Sequence, residues 1–214
     1  MDLIKEIALA DVVTAKKAIR AGVDRIELNA RLDLGGVTPT FAAVQGILDM
    51  IRGTQVELVV MVRPRGGDFV YSGSEIKQMK QSIERLKQMG VKNVTFGVLT
   101  PAQGINYEKM NELIEFAEPM AVVFHMAFDD IPVTDKLTAI DWLAQHGVKR
   151  ILTHGGSLDL PIEETLDALK ETVEMAQGRI EILPGGGITF ANVEKVAEYL
   201  QITQVHGSKI IVIA

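Results

Sequence analysis

The chain contains no cysteine among its 214 residues. A disulfide framework, a cysteine-type zinc site, an iron–sulfur cluster and a cysteine nucleophile are therefore excluded. Aromatic residues make up only 5%, too few for a platform on which bases stack. Positive charge is in deficit: 22 Lys and Arg stand against 28 Asp and Glu, a net charge of −6. A partner held through its phosphate backbone selects the opposite balance, so no nucleic acid is expected as a partner. An anionic membrane surface is disfavoured for the same reason. Long apolar runs are missing too. Stretches such as Met120–Phe124 fall far short of a bilayer span. Asp2, Lys5 and Glu6 interrupt the start, where a secretory leader needs an unbroken apolar stretch. The expectation is a cytoplasmic protein.

What is present suits a folded chain. Hydrophobic residues are 47% and charged residues 23%, enough apolar surface to offset chain entropy. A chain of this length is read as one domain over 1–214. Short β-rich runs begin near Leu3, Asp24, Val56, Asn93, Met120, Arg150, Ile180 and Gln204. They lie about 20 to 40 residues apart, the length of a βαβ unit. Amphipathic stretches fill the gaps: Val12–Ala21, Phe41–Ile51, Ser74–Met89, Tyr107–Phe116, Thr134–His146, Ile162–Ala176 and Ala191–Leu200. Ser74 reads as an N-cap and Gly90 as a stop. AGVDRIEL, MGVKNVTF and HGVKRILT repeat one helix-to-strand turn, with Gly as the left-handed cap.

Eight such units predict a TIM-type (β/α)8 barrel. An open doubly wound sheet is the alternative, but it places a Gly-rich turn after its first strand. Here that turn is ALADVV, and the Gly cluster 184–187 follows the seventh strand. Barrels commonly bind phosphate there. Only Lys209–Ala214 follow the eighth strand, so the eighth helix is expected to be short or missing. The apolar tail IIVIA would cover that gap or pack on another chain, which makes a homo-oligomer the expectation.

Barrel sites form at the C-terminal ends of the strands, and residues two apart share a face. Strand one offers Glu6, strand two Arg25, Glu27 and Asn29, and strand three Met61, Arg63 and Arg65. Strand five offers His125, Ala127 and Asp129, strand six Thr153 and Gly155, and strand eight His206 and Ser208. His154 falls on the opposite parity to Thr153. Charges of both signs converging on one mouth form either a self-neutralising ion network or a catalytic cluster. Most of the nine methionines sit at helical core spacing. Met61 and Met126 instead flank Arg63 and His125, and thioether with imidazole suits Cu(I).

GVDRIELNARLDLGGVTPT, VMVRPRGGDFVYS, FHMAFD, RILTHGG and PGGGI together resemble the CutC family, named for copper homeostasis. The resemblance runs from Glu6 to Ser208 and implies a TIM-type barrel that handles copper in the cytosol, with Cu(I) as ligand. By that resemblance Glu6, Glu27, Arg63, Arg65, Asp68, His125, Asp129 and His206 match motif positions. Family members commonly carry cysteine where this chain has Ala8, Asn29 and Val70, arginine at Met126 and serine at His154. Either a copper site has moved to His125, Met126, His154 and His206, or copper is not this chain's ligand.

Two functions are thus expected in parallel. The first is a copper homeostasis protein binding copper through that His/Met set. The second is an enzyme on a small anionic metabolite, expected to be phosphorylated. There Gly185, Gly186, Gly187, Ser208 and Arg65 would hold the anion. Glu6, Glu27, Arg63, His125 and Asp129 would carry general acid/base chemistry.

Overall fold

Each short β-rich run becomes a parallel strand in the computed structural model, which describes residues 3–213. The order is β1 (Ile4–Leu9), α1 (Val12–Arg20), β2 (Arg25–Leu28), α2 (Phe41–Ile51), β3 (Glu57–Met61), α3 (Gly73–Gln88), β4 (Asn93–Phe96) and α4 (Tyr107–Ala117). Then come β5 (Ala121–Phe124), α5 (Val133–Gln145), β6 (Arg150–Thr153), α6 (Ile162–Ala176), β7 (Glu181–Pro184), α7 (Val193–Leu200) and β8 (Gln204–Gly207). Short 3₁₀ turns follow β2 and β5, at Leu32–Leu34 and Met126–Asp130. Met1, Asp2 and Ala214, on which the leader and tail expectations partly rest, lie outside the described residues.

Neighbouring strands pair from β7 through β6, β5, β4, β3, β2 and β1 to β8. The register sets Glu6 beside both Arg25 and His206, and Ala8 beside Glu27. Among the described residues the circle lacks a ladder only between β7 and β8. That seam is stitched at the bottom by Gln204 Nε2 donating to Glu181 Oε2 at 3.0 Å. At the top a Thr189–Lys209 bridge crosses it. This is a nearly closed (β/α)8 barrel with seven α-helices among the described residues. None of those helices is long and apolar enough to cross a membrane. Residues 208–213 form no helix after β8; Ile210 is buried there and Val212 is exposed.

Period-two strands and period-3.6 helices explain the core. Ile7, Ile26, Val60, Val94 and Ile151 point outward from the strands and are buried beneath the helices. On α3, Ile76, Met79, Ile83 and Leu86 form one buried stripe. A fully buried side chain of this kind contributes roughly 1.5–3 kcal/mol. Inside the barrel a separate small cluster holds Val59, Val123, Leu152 and Leu183, with Met126 against it. It covers the β3–β7 side. The β8–β1–β2 side carries Glu6, Arg25, Glu27, Asn29 and His206, all buried. The upper interior is therefore mostly apolar on one side and polar on the other, with Asn93 and Thr95 on β4 and Arg150 on β6 as buried polar groups of the first side.

Four local expectations are corrected. The N-cap of α3 is Ser72, not Ser74, because Ser72 and Glu75 close a reciprocal capping box. Helix α7 starts at Val193, since Thr189 N–H donates to Asn192 Oδ1 and Phe190 N–H to Lys209 O first. The fifth strand stops at Phe124; Ala127 N–H donates to His125 Nδ1 and turns the chain into the 3₁₀ segment. Asp129 consequently leaves the strand face. On β6 the side chain facing the axis is Leu152, and Thr153 lies behind it, its hydroxyl 2.5 Å from Asp129.

Candidate functional site

The polar half of the interior is a continuous relay. Gln204 Oε1 accepts from Arg25 Nη2 at 2.9 Å, and Arg25 Nε donates to Glu6. Glu6 Oε1 lies 2.7 Å from His206 Nδ1. His206 Nε2 then stands 3.9 Å from Glu27 Oε2, which accepts from Asn29 Nδ2 at 2.9 Å. One ligand atom from each of Glu6, Glu27 and His206 lies within 4.8 Å of the others. Below them Arg150, Glu181 and Glu57 extend the charged layer to the barrel bottom. Arg150 opens the RILTHGG segment and Gln204 belongs to no recognisable motif, yet strand parity alone points both inward.

The relay separates the three titrating groups. Burial opposes ionisation of Glu6, but the His206 hydrogen bond and the Arg25 charge prevail and bring its pKa down to about 2. Burial pushes Glu27 up, and the nearby Glu6 charge adds to that against the pull of His206. Burial disfavours the imidazolium of His206, yet Glu27 and Glu6 outweigh it and raise its pKa. The relay thus keeps Glu6 anionic, favours the imidazolium of His206 relative to a free imidazole, and leaves Glu27 the more easily protonated carboxylate.

His206 and Glu27 form the floor of a cavity of about 380 Å³ at the C-terminal ends of the strands. Asn29, Met61, Arg63, His125, Met126 and Leu152 contribute to its lower walls, and Gly186, Gly187 and Ser208 to its rim. The site residues read from the sequence divide here. Glu27, Arg63, His125, Met126, Gly186, Gly187, Ser208 and His206 all line the cavity. Glu6 stands behind His206 as its partner.

The others face elsewhere. Arg65 turns outward, where Nε meets Glu75 at 2.6 Å and Nη2 meets Asp68 at 2.9 Å. Asp129 accepts from the His154 and Gly155 amides and the Thr153 hydroxyl, which makes it a clamp on the end of β6. His154 is buried, with Nδ1 within 3.1–3.2 Å of the Gly185 and Gly186 carbonyls and Nε2 3.1 Å from Leu160 O. The amide of Gly185 donates to Thr153 O. A Cβ on Gly185 would meet Leu152, His206 and Met126 at 2.8–3.0 Å, so this glycine is needed for packing. The amides of Gly186, Gly187 and Ser208, beside the unpaired seam, find no acceptor among the described residues.

Arg63 plays a different part from a simple counter-charge. Its Nη1 donates to the carbonyls of Leu34, Gly35 and Gly36, and its Nη2 to Gly67 O at 2.6 Å. It thereby clasps the loops after β2 and β3. It forms no salt bridge among the described residues, and its Nε has no partner. Its guanidinium also lies 4.6 Å over the Phe69 ring, and a buried cation held by carbonyl dipoles and a ring face rather than by an ion pair leaves positive potential at the mouth. His125 lies close by. Burial and the Arg63 charge lower its pKa to about 3, so the ring is neutral. Because Nδ1 accepts from Ala127, the proton sits on Nε2, which is also unpartnered.

The donor set can be weighed against Cu(I). That ion selects thiolate, thioether and neutral imidazole, and the chain has no cysteine. His154 has both ring nitrogens engaged, His206 shares its proton with Glu6, and His125 offers only a protonated Nε2. Met61 and Met126 remain as soft thioether donors on the cavity wall. His125, Met126 and His206 share one cavity while His154 is turned onto the β7 loop, and with these imidazole nitrogens protonated or engaged the chemistry of the set as arranged fits Cu(I) poorly.

The same chain architecture recurs in known proteins. The profile of the CutC family matches residues 3–211. A family protein CutC of Enterococcus faecalis is 41% identical over 209 residues, covering 98% of this chain and all of that one. The human copper homeostasis protein cutC homolog is 38% identical over 205 residues, 96% of this chain and 72% of that protein. A crystal structure of a copper homeostasis protein CutC from Streptococcus agalactiae superimposes with a TM-score of 0.93 at 34% identity, covering 97% and 99% of the two chains. With barrel, motifs and relatives in agreement over almost its whole length, the chain belongs to the CutC family.

Proposed function

We propose that this chain is an enzyme acting on a small anionic carbonyl compound by general acid/base catalysis. The observation that carries the reading is the buried Glu6–His206–Glu27 relay on the floor of an open cavity. Glu6 holds His206 by its Nδ1, which leaves Nε2 facing the cavity as the acid. Glu27, across 3.9 Å, is the base. With a carbonyl oxygen against Nε2, Glu27 is placed to take a proton from the adjacent carbon while His206 protonates the oxygen. Both groups sit on strands, held by their own partners, so little reorganisation is needed at reaction. Positive potential from Arg63 and the free amides of Gly186, Gly187 and Ser208 would hold the anionic group.

The test is deuterium exchange followed by proton NMR. Small 2-oxo acids in D2O are expected to lose the protons next to the carbonyl with wild-type protein. Exchange should fall by roughly 10²–10⁴-fold in Glu27→Gln. Exchange equal in wild type and in Glu27→Gln would refute the assignment.

A second reading rests on the names of the relatives: a part in copper homeostasis. It is tested by anaerobic competition for Cu(I) against a chelator of known affinity. Tight stoichiometric binding lost in the His125→Ala/His206→Ala variant would favour it. Binding that ignores those substitutions would count against it.

A further inference from the structure

We propose that the ligand of the mouth cavity carries an apolar body behind its anionic head, a substrate class that rests on the acid/base reading above. The split interior supplies the first argument. Glu27, Asn29 and His206 occupy the β8–β1–β2 side of the cavity, while Met61, Met126 and Leu152 form an apolar strip opposite, beside Arg63 and His125. A ligand hydroxylated on all sides would lose water against that strip with only the Arg63 and His125 nitrogens beside it as partners, at a cost per unpaired group.

The rim supplies the second. Leu32, Leu34 and Leu158 line the same cavity yet remain 42%, 44% and 60% exposed. Leu32 and Leu34 sit on the turn after β2, and Leu158 on the loop after β6. In the strand order these two strands stand four apart, on opposite sides of the barrel. The leucines therefore face one another across the mouth. Leu158 adjoins Gly186, whose missing Cβ would fall 2.8 Å from Leu158 Cδ2. An apolar body leaving the floor between these loops would cover all three side chains.

Head and body can be separated experimentally. Binding of 2-oxo acids with two to six further carbons is measured by calorimetry beside alkyl phosphates of matching length. Inorganic phosphate and ribose 5-phosphate serve as polar controls. Proteins are wild type and Leu34→Ser/Leu158→Ser, whose exposed positions leave folding intact. Affinity should rise about fourfold for each buried methylene, in whichever series carries the right head. The double variant should lose most of that slope while binding the shortest member unchanged. Anion binding with a flat slope, ribose 5-phosphate binding as tightly as the longest acid, or a slope that survives in the double variant would overturn the proposal alone. No binding of any anion would overturn the acid/base reading, and this one with it.

Discussion

Replacing Glu6 by glutamine probes the relay at its most strongly bound group. Glu6 has a pKa of about 2 where 4.5 is ordinary. At 1.36 kcal/mol per pH unit, its ionised form is held by roughly 3 kcal/mol. The substitution keeps the shape but removes the anion, leaving Arg25 and the His206 imidazole without the carboxylate between them and with only the longer contacts to Glu57 and Glu27. Wild type should therefore exceed Glu6→Gln by about 3 kcal/mol at pH 6. In a domain of this size that corresponds to a Tm difference of roughly 6–12 °C. The sign with pH follows from the lowered pKa. The Glu6 contribution is complete above its unfolded value of 4.5 and is lost as pH falls toward 2. Urea denaturation of both proteins between pH 3 and 7 is the assay. A gap below 0.5 kcal/mol at pH 6, or one that does not shrink between pH 4.5 and 3, would refute the reasoning.

Three further outcomes follow from the same geometry. His125, held to about 3 by burial and Arg63, should show no titration between pH 4 and 8 in NMR spectra; a midpoint near 6.5 would contradict its placement. Gly186→Ala meets both a φ of +79° and contacts of 2.7–2.8 Å with His154 and Leu158, so it should cost about 1–3 kcal/mol in denaturation and weaken anion binding; a neutral effect would remove the rim from the account. Arg63→Lys cannot reproduce a fork that serves four carbonyls, so amide exchange of the loops after β2 and β3 should speed up while the barrel strands stay protected. Equal protection in both proteins would deny Arg63 its clasping role.

How much of this was legible in the sequence depends on distance from the strands. Strand count, barrel closure and the inward face of β2 follow from period-two alternation and βαβ spacing. Glu6, Glu27 and His206 lie inside strand runs or at their edge, and parity places them together. Legibility fails just beyond the strand ends. There His125 caps its own turn, Asp129 rotates under β6, and His154 folds back onto carbonyls of the β7 loop. Arg65 shares parity with Arg63 but follows a proline, and its guanidinium is drawn outward to Glu75 on α3. The grouping of His206 with Glu6 rather than with soft metal donors is a matter of register between the first and last strands, 200 residues apart. No local pattern carries it.

The protonation state of His206 tests the central claim most directly. Nitrogen NMR of ¹⁵N-histidine protein reads both ring nitrogens. The raised pKa means that the imidazolium is favoured and that its stabilising contribution fades only as pH climbs above 6.5. The account predicts a doubly protonated His206 at pH 6.5 that reverts toward ordinary titration in Glu6→Gln. A neutral His206 at pH 6.5, with a free Nε2 lone pair turned to the cavity, would contradict it and return this residue to the role of a metal ligand.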